Sequence, residues 1–259
     1  MPFVGSLPSE RKALIFSAGG VRFAVRLSLV REIVPAPEGG EVRWRGEPLP
    51  TAFVSTVLGL PAGPSPYALL TEGAPHAALR VESLHGIVDV AGAEYFQLPA
   101  RTLLPQPSPF AGAILVNGEV ALELAVGTLG FAPLEPALEP PAATADLGPS
   151  TERELLFARG DQVYAVPLSL AVQVLERTRI APVPLAPPSH VGLLYHARSL
   201  HPVLDVAVVY GAAPSRPGRA VLVLDAGGAG VGIVADGVIG VERGLPEVVR
   251  PPWDAICAV

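Results

Sequence analysis

The sequence predicts a mainly β protein made of two tandem copies of one small module, and three observations carry that expectation. Residues 14–34 align on residues 155–175 without a gap at an offset of 141, with eight of 21 pairs identical. Two-residue turn signals recur between apolar runs: Gly19-Gly20 in the first copy, Gly160-Asp161 in the second, and Asn117-Gly118 further on. The remaining segments are short, rich in Val, Ile and Leu, and broken by Gly or Pro about every ten residues, the spacing of small barrels or sandwiches.

Each copy opens with a hairpin, because Gly-Gly and Gly-Asp supply the positive φ that primed two-residue turns require. RLSLVREIV (26–34) and PLSLAVQVL (167–175) follow, read as a strand end and a short helical turn. Beyond them the offset becomes 152, pairing Pro50 with Pro202, Val54 with Val206, Gly59 with Gly211 and Leu70 with Leu222. It reaches 154 where Glu82 meets Asp236 and Gly86 meets Gly240. Asn117-Gly118 joins AGAILV to EVALEL as a further hairpin. Phe131 to Thr151 holds five prolines among alanines, an extended and semi-rigid spacer. The expected domains are therefore 10–132, a Pro/Ala-rich linker over 133–151, and 152–259. The second copy stops at Val259, soon after VRPPWD (249–254), without a counterpart of the 112–124 hairpin. Unpaired strand edges template association. The expectation is that the first copy, the linker or another chain covers this edge, unless the sequence continues.

Composition bounds the function. Half of the 259 residues are hydrophobic and 16% are charged, so a sizeable core is available and disorder is excluded. The net charge is −6, with seventeen arginines and the single lysine Lys12. That balance argues against nucleic acid, whose phosphates need a basic stripe. One cysteine, Cys257, permits neither an internal disulfide nor a thiolate zinc site. Met1 to Lys12 lacks the apolar stretch of a secretory signal. Ala220 to Val241 is apolar enough to suggest a membrane span, but Asp225, Asp236 and its glycines oppose insertion. A cytoplasmic protein without direct membrane insertion is expected.

No coherent catalytic group emerges. Gly230 to Ala235 fits G-x-G-x-x-A, but a dinucleotide site needs a helix to begin at the glycines. The following IVADGVIGVE alternates branched residues and reads as strand. His190, His196 and His201 gather near Asp205, at spacings that give no one-face helical pair and no zinc pattern. They read as surface or strand-end histidines. No G-x-S-x-G elbow accompanies the serines. The carboxylate pairs Glu119/Glu123 and Asp225/Asp236 read as turn or exposed strand residues, so no catalytic residue, metal site or cofactor is expected.

GVGIVADGVIGVERGLPEVVRPPWD (230–254), the opening hairpin with LSLVREIV, and RGEPLP (45–50) resemble the CheW-like family over more than two hundred residues. The resemblance implies two tandem CheW-like modules. Each would hold two small five-stranded SH3-like barrel subdomains, and the second module would lack its last strand pair. It also implies a non-catalytic adaptor that couples the regulatory domain of a CheA-type histidine kinase to the cytoplasmic tips of methyl-accepting chemoreceptors. Family members present an Arg-Gly pair before the run leading to Pro, matched by Arg45-Gly46, and an acidic position matched by Glu32 beside Ile33. These four residues are the implied receptor-side contacts. Arg45 offers a planar fork that a lysine could not copy. The second copy has Gln173 for Glu32, Ala197 for Arg45 and Arg198 for Gly46, so the carry-over favours the first. It keeps Pro202 and Asp205, the latter expected to cap or pin a turn. The competing readings are a diverged β-barrel interaction module outside chemotaxis and a nucleotide-dependent enzyme.

Overall fold

The computed structural model describes residues 11–257 apart from 38, 40, 73–76, 100–101, 142–143, 146–147, 149, 214–217, 227–228, 244 and 246. The first ten residues, where a secretory signal was sought, the Cys257 side chain and Val259 lie outside the described residues. Two compact units divide the chain: Met1–Leu98 with Leu104–Ala137, and Leu138–Val259 with Pro99–Leu103.

In the first unit, β1 (Lys12–Ala18) and β2 (Val21–Arg26) form the expected hairpin, with Gly19 and Gly20 at φ 57° and 76°. A 3-10 turn at Leu27–Leu29 then leads into β3 (Val30–Pro35), a full strand where the sequence suggested only a strand end and a turn. There follow β4 (Arg43–Trp44), β5 (Glu47–Pro48), β6 (Thr51–Phe53), α1 (Val54–Val57), β7 (Tyr67–Thr71), β8 (Ala78–Val81) and β9 (Ser83–Asp89). β10 (Glu94–Phe96), β11 (Phe110–Val116) and β12 (Glu119–Leu124) close the unit. One sheet runs β10-β11-β12-β2-β1-β9, the other β3-β7-β8-β6, with β4-β5 a separate hairpin.

The second unit repeats this plan with β13 (Glu154–Arg159), β14 (Gln162–Pro167), β15 (Ala171–Glu176), β16 (His190–His196), β17 (Ser199–Leu204) and α2 (Val206–Val209). It ends in β18 (Ala220–Ala226), β19 (Ala229–Ala235), β20 (Gly237–Glu242) and α3 (Trp253–Cys257). Its sheets are β14-β13-β20 and β15-β18-β19-β17-β16. The described residues of Ala220 to Val241 are thus strand apart from the bend at Asp236, and among the described residues of the chain no helix is long and apolar enough to cross a membrane. The chain is mainly β, with two modules of matching design.

The match extends to irregularities. β1 and β9 slip register between Ile15 and Phe16, and β13 and β20 do so between Leu156 and Phe157. β3 and β7 slip between Val30 and Glu32, and β15 and β18 between Ala171 and Gln173. Bulges of this kind re-aim side chains and belong to a fold's design. Register also corrects one sequence pairing. Leu70 stands opposite Glu32, as Val223 stands opposite Gln173, so the counterpart of Leu70 is Val223 and that of Leu69 is Leu222. A one-residue difference decides which face a side chain takes: Leu70 and Val223 enter equivalent clusters, whereas Leu222 packs with Phe157 and Tyr164.

β1 is buried on both faces, and period-two alternation splits its side chains between two cores. Ala13 and Ile15 pack with Ala24, Ile114 and Ala121, while Phe16 lies 5.7 Å from Phe23, which stacks on Phe110 at 6.3 Å. In the second module Leu156 and Ala165 pack with Val248, and Phe157 lies 5.5 Å from Tyr164 and 6.3 Å from Trp253. Val248 and Trp253 therefore stand where the β11–β12 hairpin stands in the first module.

The edge of the second copy, where cover by the first copy, the linker or another chain is expected, receives a segment of the module itself. In the first module β12 pairs in parallel with β2, Leu122 opposite Phe23. In the second, Val249 bridges in parallel to Tyr164, the counterpart of Phe23, through bonds to Ala165 and Val163 at 3.0 Å each. The Trp253 indole N–H donates to the Ala165 carbonyl at 2.8 Å. The segment after β20 is the module's own strap.

Buried charges mark the same join. Arg26 on β2 pairs with Glu123 on β12, whose side chain is only 5% exposed, so Glu123 is an interior residue rather than the exposed strand residue expected. The second module reverses the direction: Arg250 of the strap holds Glu154 of β13 through two 2.9 Å bonds, both side chains buried. Within the linker, Leu134 N–H donates to the Val57 carbonyl at 2.9 Å, and Glu139 accepts from the backbone and hydroxyl of Ser189. Its described residues form neither strand nor helix.

Candidate partner-binding surface

The four receptor-side candidates lie on two neighbouring elements of the first module. Glu32 and Ile33 are exposed on β3, which among the described residues pairs with β7 alone and so presents its other edge. Arg45 and Gly46 are the central residues of the turn between β4 and β5, flanked by the pair Trp44 and Glu47. Both have positive φ, 51° and 89°, the requirement of a type I′ turn. Glycine meets it freely, whereas Arg45 holds a left-handed conformation that costs a side chain of order 1 kcal/mol. Such strain concentrates where a side chain must point in one direction.

Trp44 joins the two elements. Its ring packs beside Val34 against the cluster of Ala36, Val42, Ala68 and Leu70. The Arg45 guanidinium lies 4.5 Å from the ring centroid and that of Arg31, on β3, 4.6 Å away. Both distances are those of cation–π contacts. Arg31 also reaches Glu72 at 3.4 Å. Arg43 pairs with Glu41 at 2.8 Å and donates to the Gly46 carbonyl at 3.2 Å, bracing the turn. Glu32 makes no side-chain hydrogen bond among the described residues, so its carboxylate is available to a partner. Sequence reasoning missed Arg31 and Trp44. A tryptophan beside an arginine is a visible signal, but its contact with Arg31 depends on how β3 and the hairpin meet.

The second module rebuilds the same place with other groups. Ala197 and Arg198 occupy the turn at φ 48° and 65°, between His196 and Ser199. His196 Nε2 lies 3.0 Å from Gln173 Oε1, so strand and hairpin are joined by a hydrogen bond where the first module uses an indole. His201 lies 6.3 Å from His196, ring to ring, whereas His190 pairs with Leu204 at the opposite end of the β16–β17 hairpin. The histidines read as strand-end residues divide accordingly, and His190 is buried rather than superficial. No group of three metal-ligating side chains occurs among the described residues.

Asp205 caps α2 as expected, accepting from Ala207 N–H at 3.1 Å. It does more: with Asp236 it encloses the buried Arg159, whose guanidinium these hydrogen bonds hold charged, above its usual range. Asp236 also accepts from Gly160 N–H at 2.8 Å, as Glu82 does from Gly19 at 2.7 Å. These carboxylates lock hairpins. Gly230 and Gly232 lie in strand β19, which passes to strand β20 without a helix, so the fingerprint's phosphate-binding helix terminus is not formed there.

A family model described as CheW-like domain matches residues 12–130 and 154–258. No curated protein matches the chain. Among solved structures, the crystal structure of scaffolding protein TtCheW from Thermoanaerobacter tengcongensis is similar at 18% identity and a TM-score of 0.33. The likeness covers 37% of this chain and 63% of that one, less than two thirds of its length.

Proposed function

The chain belongs to the CheW-like family, matched over both modules, and from that premise we propose that it is a signalling scaffold without catalysis of its own. It couples the regulatory domain of a CheA-type histidine kinase to the cytoplasmic tips of chemoreceptors. It works in the cytoplasm, recruited to membrane-associated receptor arrays. The first module supplies the receptor-side contact through Glu32, Ile33, Arg45 and Gly46.

One observation carries this reading: the strained Arg45 turn, braced by Arg43 and shared with β3 through Trp44, presents a preset cationic fork next to an unpaired carboxylate. A fixed guanidinium recognises a carboxylate or carbonyl with little ordering cost. Two linked modules raise local concentration at a repeating lattice, so modest single contacts suffice.

The test is a titration of the full chain against the kinase regulatory domain and, separately, against a receptor-tip fragment. Micromolar binding to both is expected. Arg45→Glu should weaken receptor capture about fivefold or more by putting a like charge against the partner carboxylate, with the circular dichroism spectrum unchanged. Unchanged capture overturns the site; absence of binding to any such kinase moves the function to an interaction module outside chemotaxis.

A further inference from the structure

The second module contains a cavity of about 450 Å³, a volume in the range of small-molecule sites. It lies between the connection that leads from β15 to β16 (177–189) and the strands β18 and β19. Ile180 of the connection packs with Val191, Val221 and Val234, and all four line the cavity. The buried Arg159 and Asp205 complete its wall.

The first module shows what such a place holds. Val221 pairs with Val234 as Ala68 pairs with Arg80, so Val234 is the counterpart of Arg80. The neighbouring registers match Asp205 with Phe53, Gly218 with Ser65 and Thr178 with Pro37. In the first module Arg80 is buried, and its guanidinium lies 4.9 Å from the Phe53 ring centroid. It donates to the carbonyls of Ala36 at 2.6 Å, Pro37 at 2.9 Å and Ser65 at 2.9 Å. In the second module a valine, an aspartate and a glycine stand for that arginine, phenylalanine and serine, and all three line the cavity. Only Arg159, in the place of Ala18, is larger than its counterpart. Among the described residues neither the Gly218 nor the Thr178 carbonyl accepts a hydrogen bond, although both counterparts are bound by Arg80. Acceptors left without donors beside an apolar cavity are costly unless something fills it.

Charge selects the class of molecule. Arg159 already holds Asp205 and Asp236, and Arg177 and Arg219 stand exposed beside Thr178 and Gly218. A further cation would meet three guanidiniums. An anion would meet two carbonyl oxygens that need donors. We infer that the cavity binds a small neutral molecule with an aliphatic body and a planar N–H donor head, the chemistry of alkyl ureas and amides. Its N–H groups take the place of those of Arg80 at the Gly218 and Thr178 carbonyls, and its body lies against Ile180, Val191, Val221 and Val234. The inference goes beyond the scaffold reading and uses no residue of the receptor-side surface.

Three probes of one shape separate the contributions: N-butylurea, N-butylguanidinium, which adds a charge, and methyl pentyl ketone, which lacks the donors. Methyl NMR of the full chain with labelled Ile and Val should show saturable shifts at Ile180, Val221 and Val234 with butylurea, with a Kd of about 1 mM. The ketone and the guanidinium should each bind about fivefold more weakly or worse, the first because it leaves the carbonyls unpaired and the second because of the neighbouring arginines. Val234→Arg restores the first module's side chain and should abolish the shifts. Val208→Phe narrows the cavity from α2 without touching the ion pair, and should weaken butylurea about tenfold with the methyl spectrum of a folded chain retained. Arg45→Glu should leave butylurea binding unchanged, which separates failure here from failure of the receptor-side assignment. No saturable shift with butylurea, a ketone or guanidinium that binds as tightly, or binding that survives Val208→Phe overturns the inference.

Discussion

His190 opens β16 with both ring nitrogens buried and, among the described residues, without a hydrogen-bond partner. Burial pushes its titration down to about 4 from an ordinary 6.5. The unfolded chain takes up this proton as pH drops through about 6.5, while the folded chain refuses it until about 4. Stability is therefore complete above the higher value and declines between the two. At pH 5 the deficit is about 2 kcal/mol. His190→Leu should lose that part of the pH dependence, read as a smaller shift in urea midpoint between pH 7 and pH 5. The Ala197-Arg198 turn makes a second residue-scale prediction. Asn117-Gly118 adopts the same positive φ values with residues suited to them, 52° and 77°. Ala197→Asn should raise stability by about 0.5 kcal/mol, because asparagine tolerates the left-handed region that alanine resists. At this scale the sequence disclosed the Asn117-Gly118 turn but neither the Arg45-Gly46 and Ala197-Arg198 turns nor the burial of His190. Asn117-Gly118 is legible as local chemistry; His190 looks like any strand-end histidine until the partner strand covers it.

Among elements, the strap after β20 has the largest consequence. Val248 packs on Leu156, Val249 bridges to Tyr164, Arg250 neutralises Glu154, and Trp253 fills the face of Phe157. Trp253→Ala should destabilise the second module by about 3 kcal/mol or more, as the loss of a large buried aromatic does. Hydrogen exchange should quicken across β13 and β14 and remain unchanged across β1 and β2. Arg250→Ala should cost at least as much as an ordinary core truncation, because Glu154 would keep a buried, unpaired charge. The described residues of the second module hold no counterpart of the β11–β12 hairpin, and the strap on that edge was not legible in the sequence. VRPPWD offers no strand periodicity, so its role as a surrogate for β12 follows only from the groove it enters.

For the whole molecule, duplication supplied two copies of one architecture and divergence changed what each presents. The bulges at Val30/Glu32 and Ala171/Gln173 are shared, yet one strand edge displays Arg31 and Glu32 and the other Val172 and Gln173. The two modules therefore present different strand edges, and linkage of two modest contacts would multiply their affinities. Arg45→Glu should cost the first module no more than its cation–π contact with Trp44, about 0.5–1 kcal/mol, and leave denaturation of the second module unchanged while weakening partner capture.

The sequence by itself determined the repeated module, the hairpins at Gly19-Gly20, Gly160-Asp161 and Asn117-Gly118, and the family, because gapless identity, turn chemistry and period-two patterning are local properties. Tertiary structure alone decided the rest. It set which of Leu69 and Leu70 faces which core, how Trp44 gathers Arg31 and Arg45, that Glu123 is interior, and that Val248 to Trp253 replaces a hairpin. Each of these depends on residues distant in the chain arriving on one face. Register and burial arise from that convergence, and no window of neighbouring residues contains it.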